Sequence, residues 1–293
     1  MYSLSKAAPL CAALMMVAGS SCDSPYFNRN DPARIHRNKG IEAFKKERWG
    51  DAADEWKLSL QAKPEQREMY EKLAFAEVKA GRLDDAAATL FKTQAFQDTD
   101  KQRLDVTRKV ASMYLQNNKL DKAEHYFQEI LKQEPNDAAS LSWLGEIHSV
   151  LGGARAQVAP ADLAQLGEAI GYYDKAMSID PENITPVVNK RIALMKISNY
   201  WIEKKNKADA DEAAAPRRDK KAKAEAHARG EEAMAKIDEL KPQLDDLSAK
   251  VTALLEKRKA AQAAAAAADG GTGDGGSAGG GGSGADGGAA APH

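Results

Sequence analysis

The sequence has few of the residues on which redox, metal and nucleic-acid chemistry depends. Its two cysteines, Cys11 and Cys22, both stand near the N-terminus, so the rest of the chain can form neither a disulfide framework nor a cysteine-ligated zinc site. The 42 lysines and arginines nearly balance the 43 aspartates and glutamates, which leaves a net charge of −1 over 293 residues. A near-neutral chain gives no electrostatic indication of a nucleic-acid partner.

Motifs for catalysis are also missing. The five histidines form no HExxH motif and do not pair with cysteine at metal-ligand spacing. The sequence contains no Walker loop and no GxSxG nucleophile elbow, and its glycine clusters do not stand between a strand and a helix. We therefore predict no catalytic residue, no metal site and no cofactor, and we do not expect an enzyme.

What the sequence does contain is a helical repeat, clearest at residues 104–135. Apolar residues recur at helical spacing on both sides of the polar turn 116–119, which predicts two helices packed as an antiparallel hairpin. Ala111 and Ala123 are small at the positions where these helices would cross. One hairpin cannot cover its own apolar face, so a period of about 34 residues predicts neighbouring copies.

Three further copies keep this spacing. The two upstream copies are marked by Gly40, Trp49, Ala52, Trp56 and Pro64, and by Tyr70, Leu73, Ala74, Gly81, Leu83, Ala86 and Leu90. The downstream copy is marked by Leu141, Leu144, Gly145, Ala169, Tyr173, Ala176, Ile179 and Pro181. Phe44 stands one place late in the first copy, and Glu77 occupies the usual aromatic position of the second.

These residues resemble the tetratricopeptide repeat. The resemblance implies an all-α fold, an α-solenoid of about four helical hairpins at residues 32–183, used for binding proteins. Two insertions break the period, at residues 97–102 and 152–163. Either insertion could be a contact loop or a tolerated surface extension.

The N-terminus predicts export. Residues 1–21 read as a signal peptide, with Lys6 followed by an apolar stretch too short to cross a bilayer. Residues 19–22 resemble a bacterial lipobox that departs from the pattern at Gly19, whereas residues 18–20 suit ordinary signal cleavage, and both interpretations stay open. Lipid modification of Cys22 is favoured because it would be the only cysteine of the mature chain. A polar tether at residues 22–31 would then hold the protein to the inner or outer membrane, facing the periplasm.

The C-terminal third predicts long helices over residues 184–268 and a disordered glycine-rich tail over residues 269–293. A capping helix starts at Pro186, residues 217–227 are expected to form a solvated helix, and a heptad seam follows that Pro242 should kink or interrupt. The seam consists of Ile237, Leu240, Leu244, Leu247, Val251 and Leu254. It could pair two chains, but folding back on the chain's own capping helix is favoured because short coiled coils are marginal.

The repeat register also predicts a binding groove along the first helices of the hairpins. Its expected lining is Arg37, Ile41, Lys45, Phe75, Val78, Lys79, Arg108, Ser112 and Leu115. An apolar floor with basic flanks suits an extended or helical peptide that carries acidic residues, although some of these residues could contact the next repeat instead. The groove does not resemble the carboxylate clamp of cochaperones, since Ile41 stands where that clamp has Asn and Asp105 where it has Lys.

The expected function is therefore that of a membrane-anchored interaction scaffold for an unidentified protein or peptide. The architecture is similar to the lipoproteins of outer-membrane barrel assembly and to the pilotin-like lipoproteins of type IV pilus secretins, and the repeats do not discriminate between them. A structural spacer that dimerises through the seam is the other hypothesis.

The predicted anchor gives a direct test. Replacement Cys22→Ala removes the only thiol to which a lipid could be attached in the mature chain, so the protein should move from the membrane to the soluble fraction. Fractionation of cells followed by immunoblotting measures this shift. If the variant stays membrane-bound as the wild type does, Cys22 is not the anchor.

Overall fold

The fold is all-α, as the repeat pattern predicts. The computed structural model describes residues 31–155 and 160–269, and this part of the chain contains no strand. Its helices are α1 Pro32–Lys45, α2 Trp49–Ala62, α3 Arg67–Lys79, α4 Leu83–Lys92, α5 Asp100–Gln116, α6 Leu120–Gln133, α7 Ala138–Leu151, α8 Leu163–Ile179, α9 Ile184–Ala214 and α10 Lys220–Asp269. The predicted signal peptide, Cys22, the tether before Asp31 and the tail after Asp269 lie outside the described residues.

The chain divides into two compact units, one ending at Ser140 and the other beginning at Leu141. Within the described residues, no helix is long and apolar enough to cross a membrane.

Three hairpins build the first unit: α1 with α2, α3 with α4, and α5 with α6. Asp31 starts the array by accepting a hydrogen bond from the Ala33 backbone N–H, with Pro32 at the first helical position. In the first hairpin a Cβ on Gly40 would overlap the Trp56 indole. Only a residue without a side chain lets α1 and α2 approach this closely.

The turns inside the three hairpins share one backbone conformation. Glu47, Gly81 and Asn118 occupy equivalent positions after the first helices, and all three have positive φ angles of 55°, 76° and 54°. Glycine adopts this conformation without strain and asparagine tolerates it, whereas glutamate does so at a cost. The common geometry shows that the sequence repeat corresponds to a structural repeat, although only one of the three turns uses glycine.

The first insertion forms an ordered cap rather than a loose loop. Thr99 and Gln102 make a reciprocal capping box at the start of α5. Phe96, at the end of a one-turn 3₁₀ helix over Thr93–Phe96, packs on Tyr70 with ring centroids 5.6 Å apart. Arg103 donates to the backbone carbonyl of Gln97 at 2.8 Å, which ties the insertion to α5.

The second unit begins with the downstream copy of the repeat. Gly145 lies against Tyr173, and an added Cβ would overlap that ring, so α7 and α8 cross closely as α1 and α2 do. Gly152 and Gly153 follow α7, and Asp162, near the end of the second insertion, caps α8. His148 is buried and stacks on Tyr172, with ring centroids 5.3 Å apart, so its side chain packs in the interior of this hairpin.

The predicted heptad seam is covered by the chain itself. Leu247 is buried with Val187 and Leu194 of α9, and this core also includes Leu240, Leu244, Val251 and Leu254 of α10 and Ile170 and Met177 of α8. Ile237 is half-buried and lies outside this cluster. The favoured fold-back is confirmed, and a dimer through the seam would have to compete with this packing.

The expected interruption of α10 at Pro242 is wrong. Pro242 does not interrupt the helix, which runs continuously from Lys220 to Asp269. Pro242 and Asp238 are both exposed, so water can hydrogen-bond the carbonyl that the proline leaves without a donor, while the flanking seam holds the helix in place. Residues 220–227 form the mostly exposed start of α10, in line with the expected solvated helix, although Ala226 is buried.

A contact between small residues closes the far end of the α9–α10 pair. Ala208 of α9 and Ala226 and Ala233 of α10 are buried, and Gly230 lies beside Ala208. The distance from the Ala208 Cβ to a Cβ built on Gly230 would be 3.7 Å, which is ordinary van der Waals contact. The two long helices therefore stay together well beyond the leucine seam.

The second hairpin carries a buried carboxylate that costs stability. Glu77 is 3% exposed, and its Oε2 atom has no hydrogen-bond partner. Burial raises the pKa of this carboxyl above its ordinary value, and a hydrogen bond from Thr89 works against the shift. Protonation thus favours the folded state, whose stability falls as the pH rises through the raised pKa.

Replacement Glu77→Gln should remove this pH dependence. We expect the variant to be more stable than the wild type near pH 7, by roughly 1 kcal/mol, because no ionised group is then buried. The advantage should shrink below the ordinary pKa of glutamate, where both proteins are neutral at this position. Thermal melts at several pH values measure it, and equal melting temperatures at pH 7 would show that the Glu77 carboxylate is accommodated without cost.

Candidate protein-binding groove

An apolar groove lies between the first two hairpins of the first unit. It encloses about 710 Å³ and is open to solvent on one side. Its lining is Ile41, Phe44, Trp56, Glu68, Glu71, Lys72 and Phe75. The groove is therefore built from one face of α1 and one face of α3, with a residue of α2 beneath them.

Aromatic rings form its floor. Phe44 lies at the centre, with ring centroids 4.9 Å from Trp49, 5.4 Å from Trp56 and 5.9 Å from Phe75. Trp56 is buried and donates from its indole N–H to the Arg37 carbonyl at 3.2 Å, which fixes the ring. Phe75 is 48% exposed, so much of its ring faces solvent although it belongs to the same cluster.

The position of Phe44 explains why the floor is aromatic here. In the repeat pattern an aromatic residue is expected one place earlier, where this chain has the buried Ala43. A shift of one residue turns a side chain by about 100° around the helix. The ring thus packs on Trp56 at the edge of its own hairpin and also reaches the groove beside Phe75.

The charges around the groove differ from the expected basic flanks. Glu68, Glu71 and Lys72 lie in its lining, so carboxylates outnumber the ammonium group there. Glu71 is paired with Lys109 of α5 at 3.1 Å. The Lys79 ammonium lies 5.5 Å from the centre of the Phe75 ring, where it can make a cation–π contact.

Arg108 is not available to a ligand in the way the sequence suggests. Its guanidinium contacts Asp105 and also binds Asp137 at 3.1 Å. Although burial raises the pKa of Asp137, hydrogen bonds from Ser140 and Arg108 outweigh it and lower that pKa. The arginine therefore neutralises carboxylates of the first unit. One of the positive charges that was expected to attract an acidic peptide is therefore already neutralised.

The predicted lining residues fall into separate groups. Ile41 and Phe75 line the apolar groove, whereas Arg108 and Ser112 line a shallower depression of about 510 Å³ on α5. Arg37, Lys45 and Lys79 are exposed, and Val78 and Leu115 are half-buried. The sequence prediction missed Phe44 and Trp56 as parts of the floor, and the late position of Phe44 was the available signal.

Acidic and histidine side chains do not gather into a metal site in the part of the chain that the structure describes. No group of three or more His, Cys, Asp and Glu residues there could hold a metal ion.

The fold and groove define the class of the protein: an all-α protein with helical hairpins of the tetratricopeptide type. The evidence is the close crossing of Gly40 with Trp56 and of Gly145 with Tyr173, together with the recurrent left-handed turns.

Comparison with known proteins gives distant similarities in structure alone. No model of a known protein family matches the chain, and no curated protein matches it. A tetratricopeptide repeat protein from Parabacteroides merdae is similar over 78% of this chain and 93% of its own, with 13% identity and a TM-score of 0.39. A MamA protein is similar over 71% of this chain and 93% of its own, with 18% identity and a TM-score of 0.36.

The C-terminal part of a TPR repeat-containing protein from Cytophaga hutchinsonii has 16% identity and a TM-score of 0.38, over 75% of this chain and 73% of its own. Because these TM-scores are low, the class assigned above rests on the hairpins of this chain.

Proposed function

We propose that the protein is a non-enzymatic interaction scaffold of the bacterial cell envelope, held at a membrane through Cys22. In this proposal the groove between α1 and α3 binds a segment of another protein that inserts a large apolar side chain. The observation that carries it is Phe75, which is 48% exposed although it belongs to a packed aromatic cluster.

The composition of the groove supports a protein ligand. Aromatic side chains supply a large contact area with little loss of conformational freedom, and they are enriched at protein interfaces. The floor of Phe44, Trp56 and Phe75 is held in place by the hairpins, so little ordering would be needed when a ligand binds. The rim of Glu68, Glu71 and Lys72 provides charges of both signs that could fix the orientation of a segment.

This arrangement modifies the partner expected from the sequence. An acidic peptide would meet two carboxylates in the groove lining. The ligand proposed here is therefore a segment with an apolar or aromatic anchor and mixed charge around it. A role in an envelope assembly machine, such as barrel assembly or a pilus secretin, is a hypothesis within this proposal, and identification of the partner tests it.

The spacer hypothesis is less well supported. It requires two copies to pair through the heptad seam, whereas Leu240, Leu244 and Leu247 already pack with α9 in the same chain. A spacer role would also not explain why the aromatic groove is exposed. For both reasons we do not propose it as the main function.

Replacement Phe75→Ser tests the groove. The substitution removes the exposed anchor contact but should cost little folding stability, because the ring is only half-buried. Affinity capture from solubilised membranes, with mass spectrometry, should show that proteins retained by the wild type are lost by this variant. The expected loss is at least about tenfold, since an aromatic hot-spot residue typically contributes about 2 kcal/mol or more.

Leu58→Ser is the matched control. Leu58 is 42% exposed on α2 and does not belong to the groove lining, so this variant removes a similar exposed apolar surface elsewhere. It should retain the wild-type partners, and melting temperatures of both variants should stay close to that of the wild type. If Phe75→Ser retains the same partners as Leu58→Ser, the groove is not the binding site.

A further inference from the structure

The turn between α9 and α10 presents an unusual concentration of positive charge. Five basic residues stand within seven positions, at residues 217–223, with Asp219 as the only acidic residue among them. The five are Arg217, Arg218, Lys220, Lys221 and Lys223, named here the basic tip. Arg217, Arg218, Lys220 and Lys221 are exposed, and Lys223 is half-buried.

These charges are scarcely neutralised by the protein. In the described residues, the basic tip makes one ion pair, from Lys221 to Glu225 at 3.9 Å, and both side chains are well exposed to water. The Asp219 carboxylate accepts a hydrogen bond from the Ala222 backbone N–H at 2.9 Å, so it caps the start of α10, and within the described part of the chain it pairs with no basic side chain. Arg108, by contrast, shares its charge with two carboxylates.

The position of the basic tip is costly for the fold. Helix starts favour acidic residues because the first backbone N–H groups give that end a partial positive charge. The first turn of α10 has none, and it begins with Lys220 and Lys221 instead. Asp219 compensates in part by capping the Ala222 N–H, but Lys220 and Lys221 still place positive charge at this helix end, and such local conflicts are typical of a functional surface.

The packing of the hairpin makes this charge accessible. Ala208 and Ala226 are buried where α9 meets α10, so the two helices remain in contact close to the turn. The turn lies about 30 Å along α9 from the apolar core at Leu194, at a rise of 1.5 Å per residue. The basic tip is thus held at the end of a long, closed helical pair, where an extended surface can approach it.

We propose that the basic tip binds the anionic headgroups of a phospholipid bilayer. An extended anionic surface suits several adjacent cations on one turn, because each lysine or arginine gains attraction without a shaped pocket. A nucleic acid would offer the same charge, but the chain has a net charge of −1 and no exposed aromatic residue in the basic tip on which a base could stack. The contact would be additional to a lipid on Cys22 and does not depend on it.

Vesicle binding tests this inference. The protein used is the full chain carrying Cys22→Ser, so no lipid can be attached there. Binding is measured by flotation with vesicles of phosphatidylglycerol and phosphatidylcholine in equal parts, and with vesicles of phosphatidylcholine alone. The apolar N-terminal segment can contribute to both measurements, so the ratio of the two binding constants isolates the electrostatic contact.

The decisive variant reverses three charges, with Arg217→Glu, Arg218→Glu and Lys220→Glu. We expect the binding ratio to fall by about two orders of magnitude or more, and salt at about 1 M to abolish the preference of the unmodified tip. Glutamate at the start of α10 is favourable for the helix, so the melting temperature should not fall. The glutamine version of the same three positions separates loss of attraction from new repulsion and should show a smaller decrease.

The matched control reverses three exposed lysines elsewhere, with Lys101→Glu, Lys241→Glu and Lys259→Glu. It changes the net charge equally and should leave most of the vesicle preference intact. An equal loss in the control would assign the effect to net charge and overturn the proposal. So would a wild type without preference for anionic vesicles, or tip-dependent binding to single-stranded RNA that is tighter than binding to the vesicles.

Discussion

The fold depends on a contact between a residue with little or no side chain and a large ring from the paired helix. In the first hairpin, Gly40 accepts the indole of Trp56, and in the second unit Gly145 accepts the ring of Tyr173. Each contact brings two helices close together and buries an aromatic ring that no single helix could cover. In the third hairpin Ala111 stands at the position of Gly40 and Phe127 at that of Trp56, and both are fully buried.

Polar contacts then join consecutive hairpins in the first unit. Lys109 of α5 pairs with Glu71 of α3, and the Tyr114 hydroxyl of α5 donates to Asp84 of α4 at 2.7 Å. Exposed ion pairs contribute little free energy on average. These contacts matter here because they pair charged side chains that would otherwise be available to a ligand. The aromatic floor between α1 and α3 is therefore the more distinctive feature of this surface.

The helical hairpins could be predicted from the sequence because their signal is local. Small residues recur at fixed spacing, and polar turns separate the apolar helices. The neutralisation of Arg108 could not be predicted in this way, because Arg108 meets Asp137 only after the third hairpin and the residues that follow it have folded. Pro242 misled the prediction for a related reason: tertiary packing of Leu240 and Leu244 outweighs a local preference that would be decisive in an isolated helix. The fold-back of the seam could be predicted because the alternative, a short coiled coil between two chains, is only marginally stable.

A double-mutant cycle at Gly40 and Trp56 tests the central contact most directly. Gly40→Ala should destabilise the protein, because the added methyl group overlaps the indole and this outweighs the roughly 1 kcal/mol that alanine gains in helix propensity. In a Trp56→Leu background the same substitution should be neutral or stabilising, so the two changes should couple by more than about 1 kcal/mol in chemical denaturation. Additive effects, within about 0.5 kcal/mol, would contradict the close crossing of α1 and α2 on which this account of the hairpins is built.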